Sequence, residues 1–189
     1  TPFLAAYTIA GNMDRLMSVG VFACGASSAV IVGREIGVGN QRELFGKSIA
    51  LNFTALLFGL FSAAVVLAVR ALAARQFIFP LVNMSETAGD IAMFMLLVIA
   101  VFLPLRSLNI TNIVGVLRGG GDVRFAMLTD ILPMYLLCVP LAAFVGLVLQ
   151  KDIRIVYLCI CLDEFVKAVL LFSRLRSRRW INDVTREVL

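Results

Sequence analysis

Histidine is absent from this 189-residue sequence, and cysteine and charged residues are scarce. Without imidazole there is no histidine base, no histidine proton relay and little basis for a zinc site. The four cysteines all lie inside apolar runs, where we expect small buried side chains and not metal ligands. We therefore predict no metal site, no bound cofactor and no enzyme active site.

The shortage of charge is matched by an excess of apolar residues. Charged residues make up 15% of the chain and hydrophobic residues 61%, whereas soluble domains average roughly 25% and 45–50%. The apolar residues recur along the whole chain, which is typical of a polytopic membrane protein in a lipid bilayer. The net charge of +5 comes from basic residues between apolar runs and in the tail, so we expect them to set membrane orientation and not to bind nucleic acid.

Five apolar runs are long enough to cross a membrane, which takes about 20 residues each. The second run shows no polar stripe of the kind that a soluble helix carries. The sequence therefore predicts one all-α transmembrane domain over residues 1–189. Its helices are expected at about 5–33, 48–69, 91–117, 125–150 and 155–173, followed by a basic tail at 174–189.

Lysine and arginine are distributed unevenly between the two sides. The tail and the connections on its side carry ten of these residues, and the opposite connections carry four. The positive-inside rule then predicts a cytoplasmic tail, an amino end outside, and a multi-pass protein of the cell membrane. Trp180, beside the basic tail, is expected to be an interfacial anchor. An odd number of spans with the amino end outside is most easily explained if further helices precede Thr1.

Three glycines mark the short connection after the third run. The stretch GVLRGGGD, Gly115–Asp122, predicts a tight reversal between two helices. This stretch and its continuation, GVLRGGGDVRFAMLTD, resemble the bacterial multidrug and toxic compound extrusion (MATE) transporters. Further stretches that resemble the same family are VGREIGVGNQRELFGKSIA, PMYLLCVPLAAF and YLCICLDEFVKAVLLFSRLRSRRWINDV.

This resemblance implies a fold of twelve helices in two six-helix lobes, of which the chain would supply the last five. The missing amino-terminal lobe would be a partner. The resemblance also implies export of small amphipathic or cationic compounds in exchange for H⁺ or Na⁺, by alternating access and through carboxylates inside the lobes. Two alternatives stay open. One is a lipid or polysaccharide flippase of the same superfamily, which would have a more basic cavity, and the other is a non-transporting membrane subunit.

Seven charged residues fall inside the predicted helices, where each needs a partner. Four are acids and three are bases, so one acid is left to be neutralised by a proton or a cation. Asp163 and Lys167 can pair across one helical turn, whereas Asp130 has no base within a turn and precedes Pro133. We predict ion coupling by Asp130, Glu164 or Asp14, and structural charge pairs that involve Arg15, Arg106, Asp163 and Lys167.

Overall fold

The computed structural model describes residues 2–39, 41–78 and 85–182, and its secondary structure in these ranges is helical. Helix α1 spans Pro2–Gly37, and α2 spans Gln41–Ala68 and continues in wider π-type turns over Val69–Ile78. Helix α3 spans Glu86–Leu117 and α4 spans Val123–Val148, both with π-type segments. Two shorter helices follow, α5 over Ile153–Cys161 and α6 over Asp163–Ser177.

The predicted fold class, an all-α membrane bundle, is confirmed. Helices α1 to α4 each contain a stretch long and apolar enough to cross a membrane. The fifth predicted run, 155–173, differs from the expectation because a turn at Leu162 divides it into α5 and α6. The division places Asp163 and Glu164 in the first turn of α6, where the exposed amide groups of a helix amino terminus favour negative charge. The basic tail begins inside α6, and residues 183–189 lie outside the described residues.

Small residues allow α1, α2 and α3 to pack closely. A Cβ atom added at Gly59 of α2 would lie 2.7 Å from Pro104 Cα on α3. One added at Gly115 of α3 would lie 2.6 Å from Ser28 Cβ on α1. The Ser107 hydroxyl donates a 2.7 Å hydrogen bond to the Ala55 carbonyl across the α2–α3 contact. Close backbone approach and such interhelical hydrogen bonds are the usual basis of helix association in lipid, which lacks a strong hydrophobic drive.

Helix α4 presents a different surface, because its outward side chains are almost entirely apolar. Leu136, Val139 and Leu147 are each more than half exposed, as expected for a helix that faces lipid. Its regular turns end at Pro133, where π-type turns begin at Met134. A proline nitrogen cannot donate to the carbonyl one turn back, so the backbone of α4 is irregular just after Asp130.

The segment after α6 folds back over the glycine turn between α3 and α4. The Asn182 amide donates a 2.8 Å hydrogen bond to the Gly120 carbonyl, and Ile181 forms a bridge with Gly121. Gly121 has a φ of +85°, which glycine adopts without strain. Trp180 is completely buried and its indole N–H donates to the Leu175 carbonyl at 3.1 Å. Trp180 is therefore not the anchor in contact with lipid that the sequence suggests, since the ring packs inside the protein.

Candidate functional site

The first of two groups of charged side chains surrounds Arg106 of α3. Arg106 Nη1 donates to both carboxylate oxygens of Asp14 on α1, at 2.7 Å each. Arg106 Nε lies 4.0 Å from Glu164 Oε1 on α6. Glu164 is also oriented by Asn109, whose side-chain amide donates to Glu164 Oε2 at 2.7 Å and to its backbone carbonyl at 2.8 Å. Arg106 thus binds the Asp14 carboxylate closely and lies farther from the Glu164 carboxylate.

The second group surrounds Lys167 of α6. Lys167 Nζ lies 2.9 Å from Asp163 Oδ2 on the same helix and 3.3 Å from Asp130 Oδ1 on α4. The side chains of Lys167 and Asp163 are largely buried, whereas the Asp130 side chain is 47% exposed. The lysine therefore has one close buried carboxylate and one more distant carboxylate that the described residues leave nearly half uncovered.

Both groups lie well inside the bundle. Arg106 precedes Leu117, the last residue of α3, by a distance of about 16 Å along the helix, at 1.5 Å per residue. The hydrocarbon core of a bilayer is about 30 Å thick, so Arg106 would be close to its middle if Leu117 lies near one surface. At that depth even one charge costs about 2.5–3.5 kcal/mol on insertion scales. Shared bases reduce this cost.

The charges in the two groups do not balance. Four carboxylates, from Asp14, Asp130, Asp163 and Glu164, share two bases. The third intramembrane base, Arg15, is exposed on α1 and has no ion pair with a described residue. With all six groups ionised the site has two more negative than positive charges. It can therefore accept protons or monovalent cations without creating a net positive charge.

A cavity of about 270 Å³ opens beside the first group. Its charged lining consists of Asp14, Arg106, Asp163 and Glu164. Aromatic side chains line the same cavity, from Tyr7, Phe102 and Tyr157. Aromatic faces and carboxylates both attract cations, so this lining is suited to a positively charged guest with apolar surface.

The structure brings together six of the seven charged residues singled out in the sequence. Asp163 pairs with Lys167 as the one-turn spacing indicates, and Glu164 lies near Arg106. Asp130 has no base within a turn of its own helix, as the sequence indicates, but α6 brings Lys167 to it from another part of the chain. The predicted charge pair of Arg15 is not formed within the described residues. Arg15 and Asp14 are consecutive and point to different sides of α1, and only Asp14 faces Arg106.

Sequence reasoning missed Asn109 and Asp122. Asn109 is 2% exposed and lies one turn after Arg106, a spacing that could have marked it as part of the same group. Asp122 accepts a 2.6 Å hydrogen bond from Arg174 Nε, which joins the start of α4 to the end of α6. In the described part of the chain, no three His, Cys, Asp or Glu side chains converge in a way that could hold a metal ion.

Comparison with known proteins places the chain in a family. The family model MatE matches residues 2–144. The chain is also 26% identical, over 162 residues, to an uncharacterized transporter, YisQ, from Bacillus subtilis strain 168. That match covers 84% of this chain and 34% of the relative, so the chain spans about a third of the relative's length. No solved structure matches the chain. A bundle of apolar helices with internal ion pairs and a family match over most of its length show that this chain belongs to the MatE family of membrane transporters.

Proposed function

We propose that this chain is part of a secondary active antiporter that exports drugs or other organic cations in exchange for H⁺ or Na⁺. It works by alternating access together with a second, amino-terminal lobe, in the cell membrane, and it carries out no enzymatic step. The observation that carries the proposal is the charge imbalance in the middle of the bundle, where four carboxylates share two bases.

Charge imbalance supports ion coupling because an uncompensated carboxylate in hydrocarbon is costly. In each group one carboxylate is held closely, Asp14 by Arg106 and Asp163 by Lys167. The other carboxylate is held more loosely, Glu164 at 4.0 Å and Asp130 at 3.3 Å from the base. The loosely held pair is the better candidate for reversible loading by a proton or cation. We therefore assign coupling to Asp130 and Glu164, and a structural role to Asp14 and Asp163.

The cavity lining favours a cationic substrate over the head group of a lipid or polysaccharide. Three carboxylates and one base line the cavity, together with aromatic rings. A flippase that carries anionic phosphate groups would need more bases than Arg106 alone. A non-transporting subunit would have no need of an ionic lining at all.

Transport measurements on the complete protein that contains this chain test the assignment. The protein is reconstituted in liposomes, a pH or Na⁺ gradient is imposed, and uptake of a fluorescent organic cation is followed. Asp130→Asn and Glu164→Gln should each abolish gradient-driven transport while leaving expression and folding unchanged. Asp152→Asn is the matched control, because Asp152 is an exposed cap of α5 and asparagine caps equally well.

Two results would contradict the proposal. Normal gradient-driven transport by the doubly substituted protein, Asp130→Asn with Glu164→Gln, would remove both residues from coupling. Transport that is unaffected by pH and Na⁺ gradients in the unsubstituted protein would exclude an antiporter.

A further inference from the structure

Lys167 is the only described residue whose side chain joins α4 to α6 by an ion pair within the bundle. Its ammonium lies between Asp130 on α4 and Asp163 on its own helix. The other ion pair between these two regions, Asp122 with Arg174, is at the end of the bundle beside the glycine turn. Breaking the contact between Lys167 and Asp130 would therefore remove the inner ion pair between α4 and α6 in the described part of the chain.

The Lys167 ammonium also occupies the place that an incoming cation would need. A lysine ammonium is a compact point charge on a flexible stem with three donors. It lies 3.3 Å from the most accessible carboxylate of the group. A proton or Na⁺ that neutralises Asp130 removes the attraction on that side, and Lys167 keeps Asp163 at 2.9 Å. Lysine and external cation thus compete for one carboxylate.

The backbone near this contact is irregular on both sides. Helix α4 changes to π-type turns at Met134, directly after Pro133 and one turn after Asp130. On the other side, a turn at Leu162 separates α5 from α6 immediately before Asp163. Irregular turns of this kind are common hinge points, so the two helices can change their relative position here without unfolding.

We propose that Lys167 is a tethered internal cation that competes with the coupling ion for Asp130, so that loading of Asp130 breaks the ion pair between α4 and α6. This inference rests on the proposed function, since it takes Asp130 as a coupling residue. Lys167 acts here as a positioning residue, because its effect on transport goes through Asp130. Binding of an ion to Asp130 then removes a contact between two helices. A ligand can shift a conformational equilibrium only if it interacts differently with the two conformations, and this contact provides such a difference.

The other charged or titratable groups near Lys167 belong to the same two regions. Glu164 lies on α6, and Cys138 lies on the π-type segment of α4. Glu164 is engaged by Asn109 and lies near Arg106. Neither group comes within ion-pairing distance of Lys167, so competition with an external cation is focused on Asp130.

Spin-label distances between α4 and α6 test the inference in the complete protein. Labels are placed at Leu136 and Val169, which are both at least 70% exposed, in a background with all native cysteines replaced by alanine. The protein is held in lipid nanodiscs. The label distance is then measured at neutral and acidic pH, and with Na⁺ or choline as the salt cation.

Two substitutions that leave Lys167 with one carboxylate give opposite expectations. Asp130→Asn removes the contact to α4, so the label distance should match that of the ion-loaded protein under all conditions. Asp163→Asn leaves Lys167 with Asp130 alone, so the distance should stay at the unloaded value. We expect the unsubstituted protein to change by about 2 Å between these limits, the usual size of helix shifts in switching proteins. Arg174→Gln removes the other α4–α6 ion pair and should keep the ion response.

The inference is overturned if the distance in the unsubstituted protein does not respond to pH or Na⁺. It is also overturned if Asp130→Asn and Asp163→Asn respond as the unsubstituted protein does. Transport measurements on the same variants distinguish failure of this inference from failure of the proposed function. Loss of gradient-driven transport in Asp130→Asn without a change in label distance would refute the tethered cation only, whereas normal transport by that variant would refute the role of Asp130 itself.

Discussion

Removal of the Trp180 ring should destabilise the end of the bundle where α3, α4 and α6 meet. Trp180 is completely buried, and it packs against the glycine turn with its carbonyl and ring close to Gly120. Replacement of a buried aromatic residue by alanine costs about 3–5 kcal/mol. For a domain of this size, such a loss corresponds to a decrease in Tm on the order of 10 °C.

A double-substitution cycle sharpens this prediction. A Cβ atom at Gly120 would lie 2.5 Å from the Trp180 ring and from the Trp180 carbonyl oxygen, so Gly120→Ala should displace the same segment. If both substitutions act by undocking residues 178–182, their combined effect must be smaller than the sum of the two single effects. Gly46→Ala is the control, because nothing lies within 4 Å of the position that its Cβ would occupy.

Thermal unfolding of the purified chain in detergent, followed by circular dichroism, measures these effects. Limited trypsin digestion gives a second readout, since Arg178 and Arg179 are exposed and should be cleaved faster when the segment undocks and its backbone is no longer held. A decrease in Tm below about 2 °C for Trp180→Ala, less than 1 kcal/mol for a domain of this size, would refute the packing argument. Strictly additive effects of Trp180→Ala and Gly120→Ala would show that the two residues stabilise the protein independently.

Four further predictions follow from the same contacts. Cysteines placed at Ser177 and Val123 should react with impermeant thiol reagents only from the cytoplasm, because the positive-inside rule predicts that the more basic connections lie on that side; labelling in intact cells would contradict this orientation. Gly59→Leu should lower the Tm strongly in thermal unfolding, because its side chain would meet the α3 backbone 2.7 Å from the Cβ position; Gly46→Leu should not. Arg106→Gln should lower the Tm more than Arg34→Gln does, since it leaves the partly buried Asp14 without its base. The 189-residue chain expressed alone should give no drug resistance in a strain without its own exporters, because an alternating-access site lies between two lobes, and clear resistance without a co-purifying partner would contradict this.

Much of the fold could be predicted from the sequence because membrane helices follow from length and composition. A run such as residues 48–69 has no charge and no polar stripe, and in lipid only a helix satisfies its backbone groups. The break at Leu162 could not be predicted in this way. No proline or glycine marks it, and the turn depends on how α5 and α6 pack against the rest of the bundle.

The candidate site was predictable where contacts are local and not where they depend on packing. The Asp163–Lys167 pair follows from a spacing of one helical turn. The contact of Asp130 with Lys167 needs the relative rotation of α4 and α6, which no local pattern contains. The same is true of Trp180, where proximity to arginines indicated a membrane interface and the structure shows a buried ring.

The choice of base in each group is itself informative about which group can change. The Arg106 guanidinium is charged at every physiological pH and binds both oxygens of Asp14, so this pair cannot be weakened by loss of the base's charge. Lys167 has a compact ammonium that reaches two carboxylates on different helices at unequal distances. A small displacement transfers it fully to Asp163. The group around Arg106 is therefore suited to fixing α1 against α3, while the group around Lys167 is suited to exchanging one cation for another.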